Sequence, residues 1–210
     1  MGVRTISWII IGLSLVFLLV TLCNRTYRKY YLPAKMICSL EFLLLSFVMG
    51  ALSGQMIWTL QLSPGFLLCL IGDLLMGLRH KSQKNTCFLL GTMSFALAHI
   101  CFLVMLYASH SFRWLDLIVV IAMPIVIKLL KRTGQFQFGK YEGMAILYSI
   151  LVAGFAWKST EIAMETRQNA DICLAVGAAF FFLSDSLIFF ISFWKKRMWP
   201  LHGMEISAYY

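Results

Sequence analysis

The sequence predicts an all-α, polytopic membrane helix bundle with seven spans, the start of an eighth helix and the N-terminus outside. Its 210 residues are 60% hydrophobic and only 13% charged, and their mean hydropathy is +0.82. Apolar stretches recur at about the 20-residue length that a membrane-spanning helix needs, and basic residues cluster in alternate connections between them. This composition excludes an ordinary soluble domain.

The apolar stretches predict one transmembrane domain over residues 1–210. The third and sixth stretches are short for a membrane span unless their ends extend into the flanking segments. The amphipathic segment Pro200–Tyr210 is too short to cross and would begin the eighth helix. The seven predicted spans are Ile6–Cys23, Ala34–Leu52, Pro64–Leu78, Cys87–Ala108, Trp114–Leu130, Gly143–Trp157 and Ile172–Trp194.

The basic residues predict the orientation of these helices. Of the 18 Lys and Arg residues, 14 lie in or beside the first, third and fifth connections or after the seventh helix. By the positive-inside rule these segments face the cytoplasm, which places the N-terminus outside. The net charge of +9 then reflects this asymmetry and attraction to anionic membrane lipids, so a nucleic-acid partner is not expected.

Four ionisable side chains lie deep within the predicted spans, between the cytoplasmic third and the bilayer centre, where a charge costs about 2.5 to 3.5 kcal/mol on insertion scales. With a rise of 1.5 Å per residue, Asp73 and Glu41 would lie about 9 Å inside the cytoplasmic boundary, Asp185 about 15 Å and His99 about 18 Å. This band of depths predicts a functional cavity open to the cytoplasmic leaflet.

Two helices carry the same stripe of glycine, phenylalanine and ionisable residue at spacings of four. Such spacing places the three residues on one face of a helix. The two helices would run in opposite directions, so the stripes are consistent either with an inverted repeat or with chance. The stripes are Gly91, Phe95, His99 and Gly177, Phe181, Asp185.

Each polar residue also has a purely structural interpretation. A membrane aspartate or histidine can hydrogen-bond to a neighbouring Ser or Tyr and serve helix packing alone. Glu41 is close enough in sequence to pair with Lys35, and Asp116, beside Arg113, is interpreted as an interfacial residue.

The ordered segments IGDLLM, FLLGTMSFALAH and GAAFFFLSDSLIFF, followed by a tyrosine pair after a basic turn, resemble the lysoplasmalogenase (YhhN) family of integral membrane proteins. The resemblance implies eight helices. This sequence departs from the family pattern in three places. Met36 follows Lys35 where the family often has proline, Phe102 replaces a tyrosine, and the family's downstream glutamine has no counterpart after Tyr210.

The family resemblance implies hydrolysis of the vinyl ether bond of a lysophospholipid substrate, which releases a fatty aldehyde and glycerophosphocholine or glycerophosphoethanolamine. Proton transfer to the β-carbon gives an oxocarbenium ion, to which water adds before the hemiacetal collapses. This reaction needs a protonated carboxyl group and an ionised carboxylate, and no metal or cofactor. We expect Asp73 and Asp185 to form the pair, with the acid unassigned, and His99 to bind one of them or orient water.

The remaining candidate residues would bind the substrate. Glu41 shares the depth of Asp73, one set of side chains would line the pocket, and a basic set at the cytoplasmic boundary would hold the phosphate. The pocket set is Tyr148, Tyr209 and Tyr210, and the basic set is Lys35, Arg79 and Lys128. The protein would reside in the cell membrane of a bacterium or the endoplasmic reticulum of a eukaryote. The sequence leaves the oligomeric state open.

The main alternative is a small-solute or proton-coupled transporter, because chains of membrane Asp, Glu and His residues also carry protons. Transporter substrate helices are often broken in pairs by Gly or Pro near mid-membrane, whereas here Pro124 alone interrupts a predicted span. A retinal protein is disfavoured because the seventh span has no lysine between Asp171 and Lys195.

Overall fold

The computed structural model describes residues 3–23, 25–82 and 85–195. Over these residues the chain is helical, without a strand beyond one isolated antiparallel bridge, so the all-α prediction is confirmed. Short 3-10 turns precede α2 and α6 at Arg25–Tyr30 and Gly139–Tyr141. The helices are α1 (Val3–Cys23), α2 (Tyr31–Leu52), α3 (Met56–Ser82), α4 (Asn85–Ser109), α5 (Asp116–Arg132), α6 (Glu142–Thr166) and α7 (Asn169–Phe193).

Five of the described helical segments are long and apolar enough to cross a membrane, so the protein is a multi-pass membrane protein. They are Tyr31–Leu52, Met56–Leu78, Thr86–Ser109, Gly139–Thr166 and Asn169–Phe190. Helix α1 contributes a shorter apolar stretch, Gly12–Thr21, and α5 has 17 residues with charged residues at both ends. Seven spans and an outside N-terminus remain predictions, and the predicted start of an eighth helix lies outside the described residues.

The two short predicted spans do extend into their flanking segments. Helix α3 begins at Met56 and continues through Pro64. Helix α6 continues to Thr166, where Arg167 adopts a left-handed conformation (φ 53°) that ends it. Lys158, Glu161 and Glu165 therefore lie within α6, beyond the predicted end of the sixth span at Trp157. The hydropathy falls after Trp157, but ion pairs allow these charged residues to remain within the helix.

The chain divides into two compact units within α4, after Cys101. The predicted single domain remains untested, and we describe each unit by itself. In the first unit, glycines allow close helix packing, as is common in membrane proteins. A Cβ on Gly50 would lie 2.1 Å from Thr59 Oγ1, and one on Gly72 would lie 2.8 Å from the Phe95 ring. Ser94 Oγ on α4 also donates a hydrogen bond to the Leu68 carbonyl on α3 at 2.6 Å.

The second unit contains α5, α6, α7 and the last part of α4. Its apolar core lies where the connection between α5 and α6 folds against the end of α7. The buried residues of this core are Ile127, Phe136, Phe138, Ala145 and Phe193. The connection is therefore an integral part of the unit.

Replacing Gly72 by alanine should destabilise the first unit, because the new methyl group would overlap the Phe95 ring. Overpacking of this kind costs about 1 to 3 kcal/mol. Gly177→Ala is the matched control because a Cβ at Gly177 meets nothing within 4 Å. We expect Gly72→Ala to lower the free energy of unfolding in mixed micelles and Gly177→Ala to leave it unchanged or raise it. Equal losses would contradict the close packing of α3 on α4.

Candidate functional site

Asp73 is held by two side chains from the neighbouring helix α2. Lys35 Nζ forms an ion pair with Asp73 Oδ1 at 2.9 Å, and both side chains are less than a quarter exposed. Ser39 Oγ donates a hydrogen bond to the other carboxylate oxygen, Oδ2, at 2.6 Å. The negative charge of Asp73 is therefore compensated within the first unit, and both of its oxygens are fixed in position.

Helix α2 presents Tyr31, Lys35 and Ser39 at spacings of four, so the three residues share one face. Tyr31 is only 2% exposed. The sequence analysis missed Tyr31 and Ser39, although the spacing rule that identified the stripes of α4 and α7 would also have identified this one. The polar face of α2 meets α3 at the Gly72–Asp73 motif.

The glycine–phenylalanine–histidine stripe of α4 packs against the same motif. The Phe95 ring lies over Gly72, and a Cβ on Gly91 would lie 3.4 Å from the Gly72 carbonyl oxygen. His99 is completely buried, and its Nδ1–H donates to the Phe95 carbonyl at 2.8 Å. Since the carbonyl can only accept, Nδ1 carries the proton. The stripe thus positions both the backbone beside Asp73 and the imidazole of His99.

In the second unit, Asp185 on α7 accepts a hydrogen bond from Tyr148 on α6. The Tyr148 hydroxyl lies 2.5 Å from Asp185 Oδ2. The structure therefore brings together two of the predicted site residues here, as it does with Lys35 and Asp73 in the first unit. A short contact between a phenol and a carboxyl group orients both groups and stabilises either protonation state of the carboxyl by a hydrogen bond.

The other predicted site residues are distributed as follows. Glu41 is half-buried and does not pair with Lys35, and its Oε1 has no hydrogen-bond partner among the described residues. Lys128 is exposed on α5. The side chain of Arg79, and all of Tyr209 and Tyr210, lie outside the described residues. Phosphate binding by the basic set and pocket lining by the tyrosines remain predictions.

The two stripes have different surroundings. Gly91 is buried against α3, whereas Gly177 is exposed and has open space where a side chain would be. The two glycines therefore do not have the same packing role, each within its own unit, although their spacing is the same. The inverted repeat remains a prediction.

A buried ionic cluster in the second unit was missed by the sequence analysis. Lys158 Nζ contacts Glu161 Oε2 at 2.7 Å and Asp116 Oδ2 at 3.3 Å. It also donates to the Ser111 carbonyl at 2.9 Å and lies 5.0 Å from the centre of the Tyr107 ring. Arg113 adds ion pairs to Glu161 and Glu165.

Asp116 is only 3% exposed, so its carboxylate is buried within the second unit, and its interfacial depth remains a prediction. The carboxylate accepts a hydrogen bond from the backbone N–H of Arg113 at 2.9 Å. The contacts of Lys158 with Asp116 and with the Ser111 carbonyl hold the connection before α5 against α6. Three acidic and two basic side chains largely neutralise one another here. Within the described residues, no group of three or more His, Cys, Asp or Glu residues has an arrangement that would hold a metal ion.

The family model of the YhhN family matches residues 30–210. This match begins beside α2 and includes every motif described above. The chain belongs to the YhhN family. Comparisons with curated proteins and with solved structures found no significant match. The family resemblance inferred from the IGDLLM, FLLGTMSFALAH and GAAFFFLSDSLIFF segments is therefore confirmed.

Removing the charge of Lys158 should strongly destabilise this YhhN protein, because Asp116 and Glu161 would lose the cation between them. Breaking a buried ion pair from one side typically costs about 3 to 5 kcal/mol. We expect Lys158→Met to lower the free energy of unfolding in mixed micelles by about 3 to 5 kcal/mol. Lys128→Met, which removes an exposed lysine, is the control and should change it by less than about 0.5 kcal/mol. Similar values for both variants would contradict the buried cluster.

Proposed function

We propose that the protein hydrolyses the vinyl ether bond of lysoplasmalogens. Membership of the YhhN family supports a hydrolase, and the two ordered carboxyl groups supply what the reaction needs. The products would be a fatty aldehyde and glycerophosphocholine or glycerophosphoethanolamine. No metal or cofactor is required, because proton transfer and charge stabilisation account for each step.

The ion pair between Lys35 and Asp73 is the observation that carries the proposal. A vinyl ether hydrolase needs one ionised carboxylate, and Asp73 is bound by an ammonium group at 2.9 Å and by a hydroxyl donor at 2.6 Å. Because of these two contacts, we assign Asp73 as the ionised carboxylate. Lys35 then serves as its counter-ion rather than as the phosphate-binding residue that the sequence suggested.

The role of proton donor then falls to Asp185. Its carboxyl group transfers a proton to the β-carbon of the vinyl ether, and the ether oxygen shares the positive charge of the resulting oxocarbenium ion. The Asp73 carboxylate stabilises this cation. Water adds to the cationic carbon, a proton returns to Asp185, and the hemiacetal breaks into an aldehyde and a glycerol hydroxyl. Tyr148 holds the donor carboxyl by its hydrogen bond, and His99 orients the water.

Aldehyde release by purified protein tests the proposal directly. Asp73→Asn and Asp185→Asn should each lower kcat on lysoplasmenylcholine by about 10²- to 10⁴-fold, the usual contribution of an acid or base group. Asp171→Asn is the matched control, because Asp171 begins the same helix as Asp185 and bonds to Thr166; it should retain activity. Full activity in either site variant would reject the role assigned to that carboxyl group. Solute uptake by liposomes without aldehyde formation would reject the hydrolase in favour of the transporter.

Removing a single hydrogen-bond donor beside each carboxyl group should have a smaller effect. Ser39→Ala removes a hydroxyl bonded to the ionised Asp73, and a hydrogen bond to a charged group contributes about 1.5 to 3 kcal/mol. Tyr148→Phe removes one bonded to the neutral Asp185, where the contribution is about 0.5 to 1.5 kcal/mol. We expect kcat to fall about 10- to 100-fold in Ser39→Ala and about 2- to 10-fold in Tyr148→Phe, with little change in KM. A rise in KM with unchanged kcat would place these hydroxyls in substrate binding instead.

A further inference from the structure

The connection between α5 and α6 contains a short non-helical segment, Gln135–Phe138, which we call the strap. Glycines with positive φ flank it on both sides, Gly134 at 70° and Gly139 at 52°. Such conformations are readily adopted by glycine and disfavoured for other residues. The two glycines therefore set the direction in which the chain enters and leaves the strap.

Backbone hydrogen bonds fasten the strap to the end of α7. The Gln137 N–H donates to the Phe193 carbonyl, and the Lys195 N–H donates to the Gln135 carbonyl, each at 2.8 Å. Phe136 and Trp194 form an isolated antiparallel bridge between these bonds. The strap is therefore paired with the end of α7 as in an antiparallel β-bridge and is not a solvated loop.

The strap buries both of its phenylalanines against α7. Phe136 is 4% exposed and Phe138 is 3% exposed. The Phe138 ring centre lies 5.6 Å from that of Phe189 and 5.1 Å from that of Phe193. The Phe136 ring centre lies 4.8 Å from that of Trp194. This degree of burial is unusual for a connection that is predicted to face the cytoplasm.

The apolar core of the second unit lies one helical turn from the Tyr148–Asp185 hydrogen bond. Phe189 follows Asp185 by four residues on α7, and Ala145 precedes Tyr148 by three residues on α6. Residues three or four apart share a helix face. Ala145 belongs to the core that the strap completes, and Phe189 packs against that core. The core therefore lies between the hydrogen bond and the end of the second unit where α6 begins and α7 ends.

We propose that the strap excludes water from the Tyr148–Asp185 pair at this end of the second unit, with Phe136 and Phe138 as positioning residues. The effect of this shielding on catalysis rests on the proposed function. A donor carboxyl that is screened from bulk water keeps its proton for the vinyl ether carbon, and the oxocarbenium ion meets only the water that is held for it. The shielding itself is a property of the second unit and is measured without activity.

Thiol accessibility tests the shielding. In the variant Asp185→Cys, a water-soluble maleimide should alkylate position 185 at least about tenfold more slowly than Cys173, which is exposed on the same helix and serves as the internal reference. Peptide mass spectrometry resolves the two sites in the intact, detergent-solubilised protein. Adding Phe136→Ala and Phe138→Ala should raise the rate at position 185 toward that of Cys173.

A milder variant keeps the test decisive if loss of both rings prevents folding. Gly134→Ala removes no buried atom, but its φ of 70° opposes a side chain, so strap opening should increase about fivefold. Phe180→Ala, which truncates an exposed ring on α7, is the matched control and should change nothing. Fast alkylation at position 185 with the strap intact, or no increase with Gly134→Ala, would overturn the inference.

Activity provides the second readout. In the otherwise unaltered protein, Phe136→Ala should lower kcat for aldehyde release more than it raises KM, and Phe136→Leu should restore part of the loss. If the protein releases no aldehyde but position 185 is shielded as described, the proposed function fails and the shielding stands. If aldehyde is released but strap variants leave alkylation and kcat unchanged, the strap inference alone fails.

Discussion

The compensation of charge inside apolar helices is the constraint on which the rest of this structure depends. A single unpaired charge at mid-membrane costs about 2.5 to 3.5 kcal/mol or more, a large fraction of the stability of a typical domain. Lys35 and Asp73 satisfy this constraint in the first unit, and Lys158 with Asp116 and Glu161 satisfies it in the second. In each unit, the helices pack so that the charged side chains and their ion-pair partners come within contact distance.

The two ionic groups differ in what surrounds them. Lys158 is nearly inaccessible and is bound by two carboxylates, a backbone carbonyl and an aromatic ring, which is the environment of a structural cluster. Lys35 and Asp73 are each more than a fifth exposed, and glycines bring α4 close to the same point on α3. Asp73 is therefore partly accessible while its charge stays compensated, whereas the Lys158 cluster holds a connection in place.

The sequence predicted the helical class and the candidate carboxyl groups because both depend on local composition. Asp73 and Asp185 were identifiable as isolated charges within apolar stretches. The partners of these residues were harder to predict, because Ser39 and Tyr148 are ordinary residues until the neighbouring helix is known. The length of α6 was underestimated because hydropathy counts Lys158 and Glu161 as exposed charges, and the burial of Phe136 and Phe138 was missed because their segment looks like a polar connection.

The central claim is that the two carboxyl groups differ in protonation, with Asp73 ionised beside Lys35 and Asp185 protonated beside Tyr148. Infrared difference spectroscopy measures this directly, because only a protonated carboxyl group shows the carboxylic acid C=O stretch. The account predicts that this band at neutral pH disappears in Asp185→Asn and persists in Asp73→Asn. A band that persists in Asp185→Asn, or that disappears in Asp73→Asn, would contradict it.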